Sequence, residues 1–219
     1  MKTRTGSPVA KADIRGLYAV IDSAYAAFND LEKTAGAIIS GGARIIQLRA
    51  KGLPSGAMLE AARALREITL QNGVTFIVND RVDVAMMSRA DGVHLGQEDI
   101  PLTRARALMG DGAIIGVSTH NAFEAVEAQR NGADYISLGP IFPTKTKKDA
   151  HDPLRLEGLR EMRAIVSLPI VAIGGITGEN VIDVLTHGGT CAAMISEILA
   201  AKDVLEKTAE IVARINSFK

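Results

Sequence analysis

Eight short apolar runs recur along the chain: "GLYAVID", "ARIIQLRA", "VTFIVND", "GVHLGQ", "AIIGVS", "YISLGPIF", "PIVAIGGI" and "CAAMIS". Between them apolar residues fall at helical spacing, as at Ala61, Leu65, Ile68 and Thr69, and at Ala122, Ala125, Val126 and Gln129. Glycines placed to end a helix in the left-handed conformation precede many of the runs, at Gly42, Gly73, Gly112, Gly132 and Gly189. Hydrophobicity within "FIV", "VAI" and "AII" is continuous rather than alternating, which suits strands of a parallel sheet buried on both faces. Eight strand–helix units leave about 27 residues per unit, close to the minimum for a closed barrel. A doubly wound open sheet would place a Gly-rich turn after the first strand, and "VIDSAYAAF" has none. The expected fold is therefore α/β, a single parallel eight-stranded (β/α)8 TIM barrel over residues 16–219, preceded by a loose tail at 1–15.

Composition narrows the partners. The 219 residues carry 25 basic and 25 acidic side chains, so no excess of positive charge marks a nucleic-acid or anionic-membrane surface. Any anion site must be local. A hydrophobic content of 47% is ample for a substantial core. The lone Cys191 has no partner for a bridge within the chain and reads as a small buried hydrophobe in a reducing compartment. Neither a signal-peptide run nor an apolar stretch of membrane-spanning length is seen, and a cytoplasmic protein is expected. A homo-oligomer is compatible with all of this.

Barrel enzymes place their chemistry at the carboxyl ends of the strands, so the polar residues there carry the functional information. The second strand ends in Gln47, Arg49 and Lys51, spaced by two and so projecting to one side. An Arg fork and a Lys point charge make a plausible grip for a diphosphate, against the alternative of a solvated loop. Asn79 and Asp80 end the third strand; Asp80 could simply cap the next helix. With Asp99, after the fourth strand, it could instead form a carboxylate pair for a hard cation such as Mg²⁺. Ser118 ends the fifth strand and reads as a hydrogen-bond donor to substrate, since no strained nucleophile elbow surrounds it. His94 and His120 lie near strand ends, and His94 reads as a satisfied structural imidazole; His151 and His187 show no metal-ligand spacing. Gly174 and Gly175 after the seventh strand, and Ile195 and Ser196 after the eighth, stand where barrels bind a phosphate. One diphosphate site, one monophosphate site and a metal in a single mouth point to group transfer between phosphorylated small molecules.

These residues resemble the thiamine-phosphate synthase family. The matching stretches run in that family's order: "QLRAK", "FIVNDRVDVA", "ADGVHLGQED", "IIGVSTH", "GADYISLGPIFPTKTKKDA", "PIVAIGGIT" and "MIS". The resemblance implies a Mg²⁺-dependent transfer joining aminopyrimidine-methyl diphosphate to hydroxyethylthiazole phosphate, with release of pyrophosphate. It places Gln47, Leu48, Arg49, Ala50, Lys51, Asn79, Ser118 and Lys147 around the pyrimidine diphosphate, with Arg49, Ser118 and Lys147 in the catalytic role. Asp80 and Asp99 match the metal ligands. Thr144, Lys145, Thr146, Gly175, Ile195 and Ser196 match the thiazole phosphate site. The implied mechanism is dissociative and needs no protein nucleophile. One departure is that Gly188-Gly189-Thr190-Cys191-Ala192 stands where the family usually has Gly-Ala-Asp-Gly, and Ser196 is followed by Glu197 rather than a small residue. That carboxylate would repel a phosphate unless it turns outward or pairs with a cation. The alternatives are a thiazole tautomerase, which typically lacks the Asp of Asn-Asp-Arg and the Thr-x-Thr-Lys run, a sugar-phosphate epimerase-like barrel, and a non-catalytic thiamine-precursor binding protein.

Overall fold

The structure is a computed structural model describing residues 13–26, 30–144 and 152–218. Strand and helix alternate as β1 Gly16–Asp22, α1 Leu31–Ser40, β2 Ile45–Arg49, α2 Ser55–Gln71, β3 Thr75–Asn79, α3 Val82–Ser88, β4 Gly92–Leu95 and α4 Leu102–Met109. The series continues as β5 Ile114–Thr119, α5 Ala122–Arg130, β6 Tyr135–Leu138, α6 Arg155–Ile165, β7 Ile170–Ile173, α7 Val181–Thr186 and β8 Cys191–Met194. Two more helices follow, α8 Ser196–Leu199 and α9 Val204–Ser217. All eight strands pair in parallel and in sequence order, and β8 closes on β1 with Gly16 opposite Cys191. Each apolar run of the sequence thus contains one strand of the barrel. Most of the tail, residues 1–12, lies outside the described residues.

Side-chain alternation divides the apolar residues into two cores. On β1, Leu17, Ala19 and Ile21 join the layer between sheet and helices, while Tyr18 and Val20 fill the barrel interior. On β2, Ile46 and Leu48 face the helices and Ile45 faces inward, so Gln47 and Arg49 share the inward rank at the mouth. The interior is tightly filled. A Cβ added to Gly116 would lie 2.0 Å from Cζ of the Tyr135 ring. Glycine is required there so that a strand of the barrel can pass behind a buried aromatic ring.

Helix ends depart from the sequence reading at two places. Gly42, Gly73 and Gly132 do adopt positive φ, but in the other two turns the left-handed residues are Gly110 and Gly188 rather than Gly112 and Gly189. Each of these turns contains two nearby glycines, and only the backbone path decides which one reverses. On α5 the buried face is Ala125 and Ala128, with Val126 and Gln129 half-buried and Ala122, the first residue of the helix, exposed.

The amino-terminal rim is built for stability. Asp91 accepts from Phe76 N and Arg66 Nη1, both at 2.8 Å, and Asp134 repeats the device with Ile115 N at 2.8 Å and Arg106 Nη2 at 2.6 Å. These bridges clamp strand starts at the end of the barrel opposite the chemistry. No helix among the described residues is long and apolar enough to cross a membrane.

Candidate active site

At the carboxyl rim, strand ends bring together residues from far apart in the chain. Asp22, at the end of β1, is 1% exposed and accepts a hydrogen bond from Arg49 Nη1 on the adjoining strand. Its other oxygen accepts from Ala24 N at 2.9 Å, so this carboxylate is fixed from two directions. The pair orients the guanidinium and leaves its remaining N–H donors for a ligand. Sequence reasoning missed Asp22, although a carboxylate closing an otherwise apolar strand is the same signal that drew attention to Asn79 and Asp80.

Lys51 is more exposed and places Nζ 3.6 Å from Asp80 Oδ2. Asp80 does not cap α3: Arg81 occupies the cap position, and Asp80 instead adopts a left-handed φ of 64°. Its backbone N donates to His94 O at 2.8 Å, which holds this unfavourable conformation. The turn brings the Asp80 carboxyl beside that of Asp99, close enough for the two to interact electrostatically. Burial foremost, and then the neighbouring Asp99 carboxyl, push the Asp80 carboxyl above the usual carboxylate range, opposed by Lys51 and Arg49. Asp99 is itself anchored, accepting from Gly96 N at 2.6 Å. Two carboxylates forced together in this way suit a hard divalent cation, which removes their repulsion. Among the described residues no cluster holds three or more His, Cys, Asp or Glu positioned for a metal. Carboxylate oxygens are the donors a hard cation such as Mg²⁺ takes, whereas Zn²⁺ sites are built mainly from His and Cys.

Leu48 and Ala50, expected beside the diphosphate, are buried in the core between sheet and helices. The alternation that aims Gln47 and Arg49 inward turns these two side chains away, so only their backbone could serve a ligand. Asn79 sits at the mouth, 8% exposed, and lines an inner cavity of about 40 Å³ together with Gln47, Arg49, His94 and Ser118.

A larger cavity of about 210 Å³ opens beside it over β5 to β8. The two share Ser118, Ser137, Ile173, Ala193 and Ile195, so they adjoin and together make up the depression at the mouth. Its far wall holds Thr144, Gly174, Gly175, Ile195 and Ser196. Gly174 and Gly175 have φ of +97° and +64°, and a Cβ on Gly175 would lie 2.7 Å from both Phe142 Cβ and Pro143 O. The segment after β6 therefore packs directly on this backbone, with Ile141 N donating to Ile173 O and Phe142 N to Gly174 O. The short helix α8 presents its amino end to the same wall. Lys145, Thr146 and Lys147, the expected bridge between the two anion sites, lie outside the described residues, as does His151.

Glu197 does not reach into the cavity as an unpaired charge. Its Oε1 accepts from Gly178 N at 3.2 Å and lies 4.0 Å from Lys207 Nζ. The carboxylate thus ties the loop after β7 to α8 and lies at the edge of the field of Lys207, whose ammonium pairs more closely with Glu210 at 2.8 Å.

The two mouth histidines play different parts. His120 precedes the Asn121 cap of α5, its Nδ1 2.9 Å from Glu124 Oε2, within a capping arrangement in which Asn121 Oδ1 accepts from Glu124 N at 2.9 Å. His94 Nε2 lies 2.9 Å from Ser118 Oγ, and its Nδ1 lies 3.0 Å from Tyr135 Oη. A serine hydrolase would put a carboxylate on that second nitrogen; here it meets a phenol. Tyr18, Tyr135 and Ser137 were hidden from sequence reading inside apolar runs. Their role depends on contacts between distant strands.

A profile of the thiamine monophosphate synthase family matches residues 17–198. A thiamine-phosphate synthase of Shouchella clausii is 47% identical over 188 residues, covering 86% of this chain and 90% of that relative. One from Chloroflexus aurantiacus is 46% identical over 200 residues, 91% of this chain and 92% of its own length. Among solved structures, a thiamine phosphate pyrophosphorylase from Pyrococcus furiosus superimposes with a TM-score of 0.83 at 38% identity, over 93% of this chain and 96% of that one. The match runs through every strand whose end contributes to the mouth, and on it the chain belongs to the thiamine monophosphate synthase family.

Proposed function

We propose that this chain, a thiamine-phosphate synthase and therefore a transferase, works by dissociative substitution in the adjoining cavities at the barrel mouth. The observation that carries the reading is the juxtaposition at the rim: Arg49 held by Asp22, Lys51 beside Asp80, and Asp80 against Asp99. Positive charge and a cation-seeking carboxylate pair stand together on one side of the mouth. A glycine-rich wall with a helix amino terminus stands on the other.

In this reading Asp80 and Asp99 hold Mg²⁺, which when bound neutralises charge on the diphosphate. Arg49 and Lys51 bind the same diphosphate and stabilise the charge that grows as pyrophosphate leaves. Lys147 is assigned the same task. Gln47, Asn79 and Ser118 orient the aminopyrimidine, whose electron-rich ring carries the methylene cation. Thr144, Lys145, Thr146, the Gly175 backbone, Ile195 and Ser196 hold the thiazole phosphate so that the ring nitrogen lies in line to capture that cation. The reaction breaks one carbon–oxygen bond and forms one carbon–nitrogen bond. No protein nucleophile intervenes, in keeping with a mouth whose described residues pair His94 with a phenol where a triad would place a carboxylate. A cytoplasmic setting accompanies this reading, in keeping with the single buried Cys191.

The test is product formation. With both phosphorylated substrates and Mg²⁺, thiamine phosphate and pyrophosphate are expected in equal amounts, and neither substrate alone is expected to give product. Isomerisation of the thiazole phosphate alone, without pyrimidine or Mg²⁺, would replace this reading with the tautomerase one. A second expectation concerns the far wall. Gly175→Ala would force a side chain into a left-handed φ and against the Phe142–Pro143 backbone. It is expected to raise KM for the thiazole phosphate by about tenfold or more, a loss of roughly one strong phosphate contact. Steady-state kinetics with each substrate varied should leave KM for the pyrimidine diphosphate within about twofold of the parent.

A further inference from the structure

A chain of hydrogen bonds runs through the barrel interior, crossing five strands. Gln47 Nε2 donates to Tyr18 Oη at 2.9 Å, Tyr18 Oη and Tyr135 Oη lie 2.8 Å apart, and Tyr135 Oη is 3.0 Å from His94 Nδ1. His94 Nε2 then meets Ser118 Oγ at 2.9 Å. All these residues but Ser118 are buried, and Ser118 opens onto both parts of the depression. The rings are packed as well as bonded. His94 stacks on Tyr135 with centroids 5.5 Å apart and planes 20° apart, and Gly116 makes room behind the Tyr135 ring.

The protons in this chain can be placed by elimination. An amide nitrogen only donates, so Tyr18 accepts from Gln47. Among the described residues, the one acceptor left for the Tyr18 proton is the Tyr135 oxygen. The Tyr135 proton then has His94 Nδ1 as its acceptor. A nitrogen that accepts carries no proton, so a neutral His94 bears its proton on Nε2 and donates it to Ser118 Oγ. Burial holds both phenols well above their ordinary pKa, which keeps them protonated as the sequence of donors requires. Every link then points the same way, from Gln47 toward Ser118.

We infer that Tyr18, Tyr135 and His94 are positioning residues which fix the His94 tautomer, so that Ser118 presents its own hydroxyl proton to an acceptor on the pyrimidine diphosphate. This rests on the reading of the mouth given above. It has two consequences. His94 cannot take the Ser118 proton, so the Ser–His contact is the reverse of a nucleophile–base pair. Gln47 and Ser118, on opposite sides of the mouth, are coupled through the protein interior and not only through substrate.

The direct measurement is nitrogen NMR on histidine-labelled protein without substrate, with the His94 signals identified by their loss in His94→Gln. The proton is expected on Nε2 in the parent. Tyr135→Phe keeps the ring but removes the donor to Nδ1; it should shift the tautomer toward a mixture and lower kcat about tenfold, the effect of one misdirected hydrogen bond. Tyr18→Phe interrupts the same chain one link earlier and serves if Tyr135→Phe does not fold. His94→Gln retains an N–H for Ser118 and should keep kcat within about threefold, whereas His94→Leu should fall with Ser118→Ala. A proton on Nδ1 in the parent overturns the inference, as does an unchanged tautomer and kcat in both phenylalanine variants. Because the tautomer is read without substrate, it stands or falls separately from whether thiamine phosphate is formed.

Discussion

Asp80→Asn is expected to lower pyrophosphate release by about a hundredfold or more, the scale of losing several kcal/mol of metal-assisted charge stabilisation. The same change should raise the melting temperature of the protein without Mg²⁺. The two effects have one cause. Asp80 is pushed above its ordinary range by burial and by Asp99, so its ionised form opposes folding. Stability contributed by the protonated form is present at low pH and is lost as pH rises from the ordinary carboxylate value through the elevated one. Asparagine removes that burden along with the function. The acid limb of kcat/KM should accordingly lie above the ordinary carboxylate range and move to lower pH as Mg²⁺ is added, since the cation favours the ionised pair. Calorimetry at neutral pH with and without Mg²⁺ checks the stability half. A parent that is not stabilised by Mg²⁺ would contradict it.

Arg49→Met should be costly twice over, because Arg49 is both the partner of a buried carboxylate and a ligand for the diphosphate. Removing it strands Asp22, which is 1% exposed, and breaking a buried pair from one side costs about 3 kcal/mol. Activity should also fall by about a hundredfold, the lower range for losing a charge-stabilising donor. The losses can be separated. Adding Asp22→Asn to Arg49→Met removes the stranded charge and should restore most of the stability measured by urea unfolding, while activity stays low. Recovery of activity in the double variant would show that Arg49 acts only through the fold. Asp22→Asn alone should reduce kcat/KM less than Arg49→Met, since the guanidinium remains but loses its orientation.

The barrel itself was legible because its strands are continuous apolar runs, a pattern fixed by burial on both faces and hardly altered by local detail. The rim was legible where a polar residue directly follows such a run, as at Gln47, Arg49, Asn79 and Ser118. Period-two alternation, applied strictly, would also have separated Gln47 and Arg49 from Leu48 and Ala50. Other features depend on tertiary contact. Nothing local announces that Tyr18 and Tyr135, 117 positions apart, share a hydrogen bond, or that Asp22 faces Arg49. The left-handed turn at Asp80 is imposed by its bond to His94 O, a contact across strands, whereas the local sequence favours a helix cap. Glu197 looked like an obstacle because its partners, Gly178 and Lys207, approach it from a loop and a helix that sequence does not place beside it.

The central claim is that an acidic pair at the mouth makes group transfer depend on a divalent cation. It is tested most directly by pyrophosphate release with both substrates, with and without Mg²⁺, in the parent and in Asp80→Ala. The account predicts release that requires Mg²⁺ in the parent and nearly vanishes in Asp80→Ala; release independent of Mg²⁺, or undiminished by losing Asp80, would contradict it.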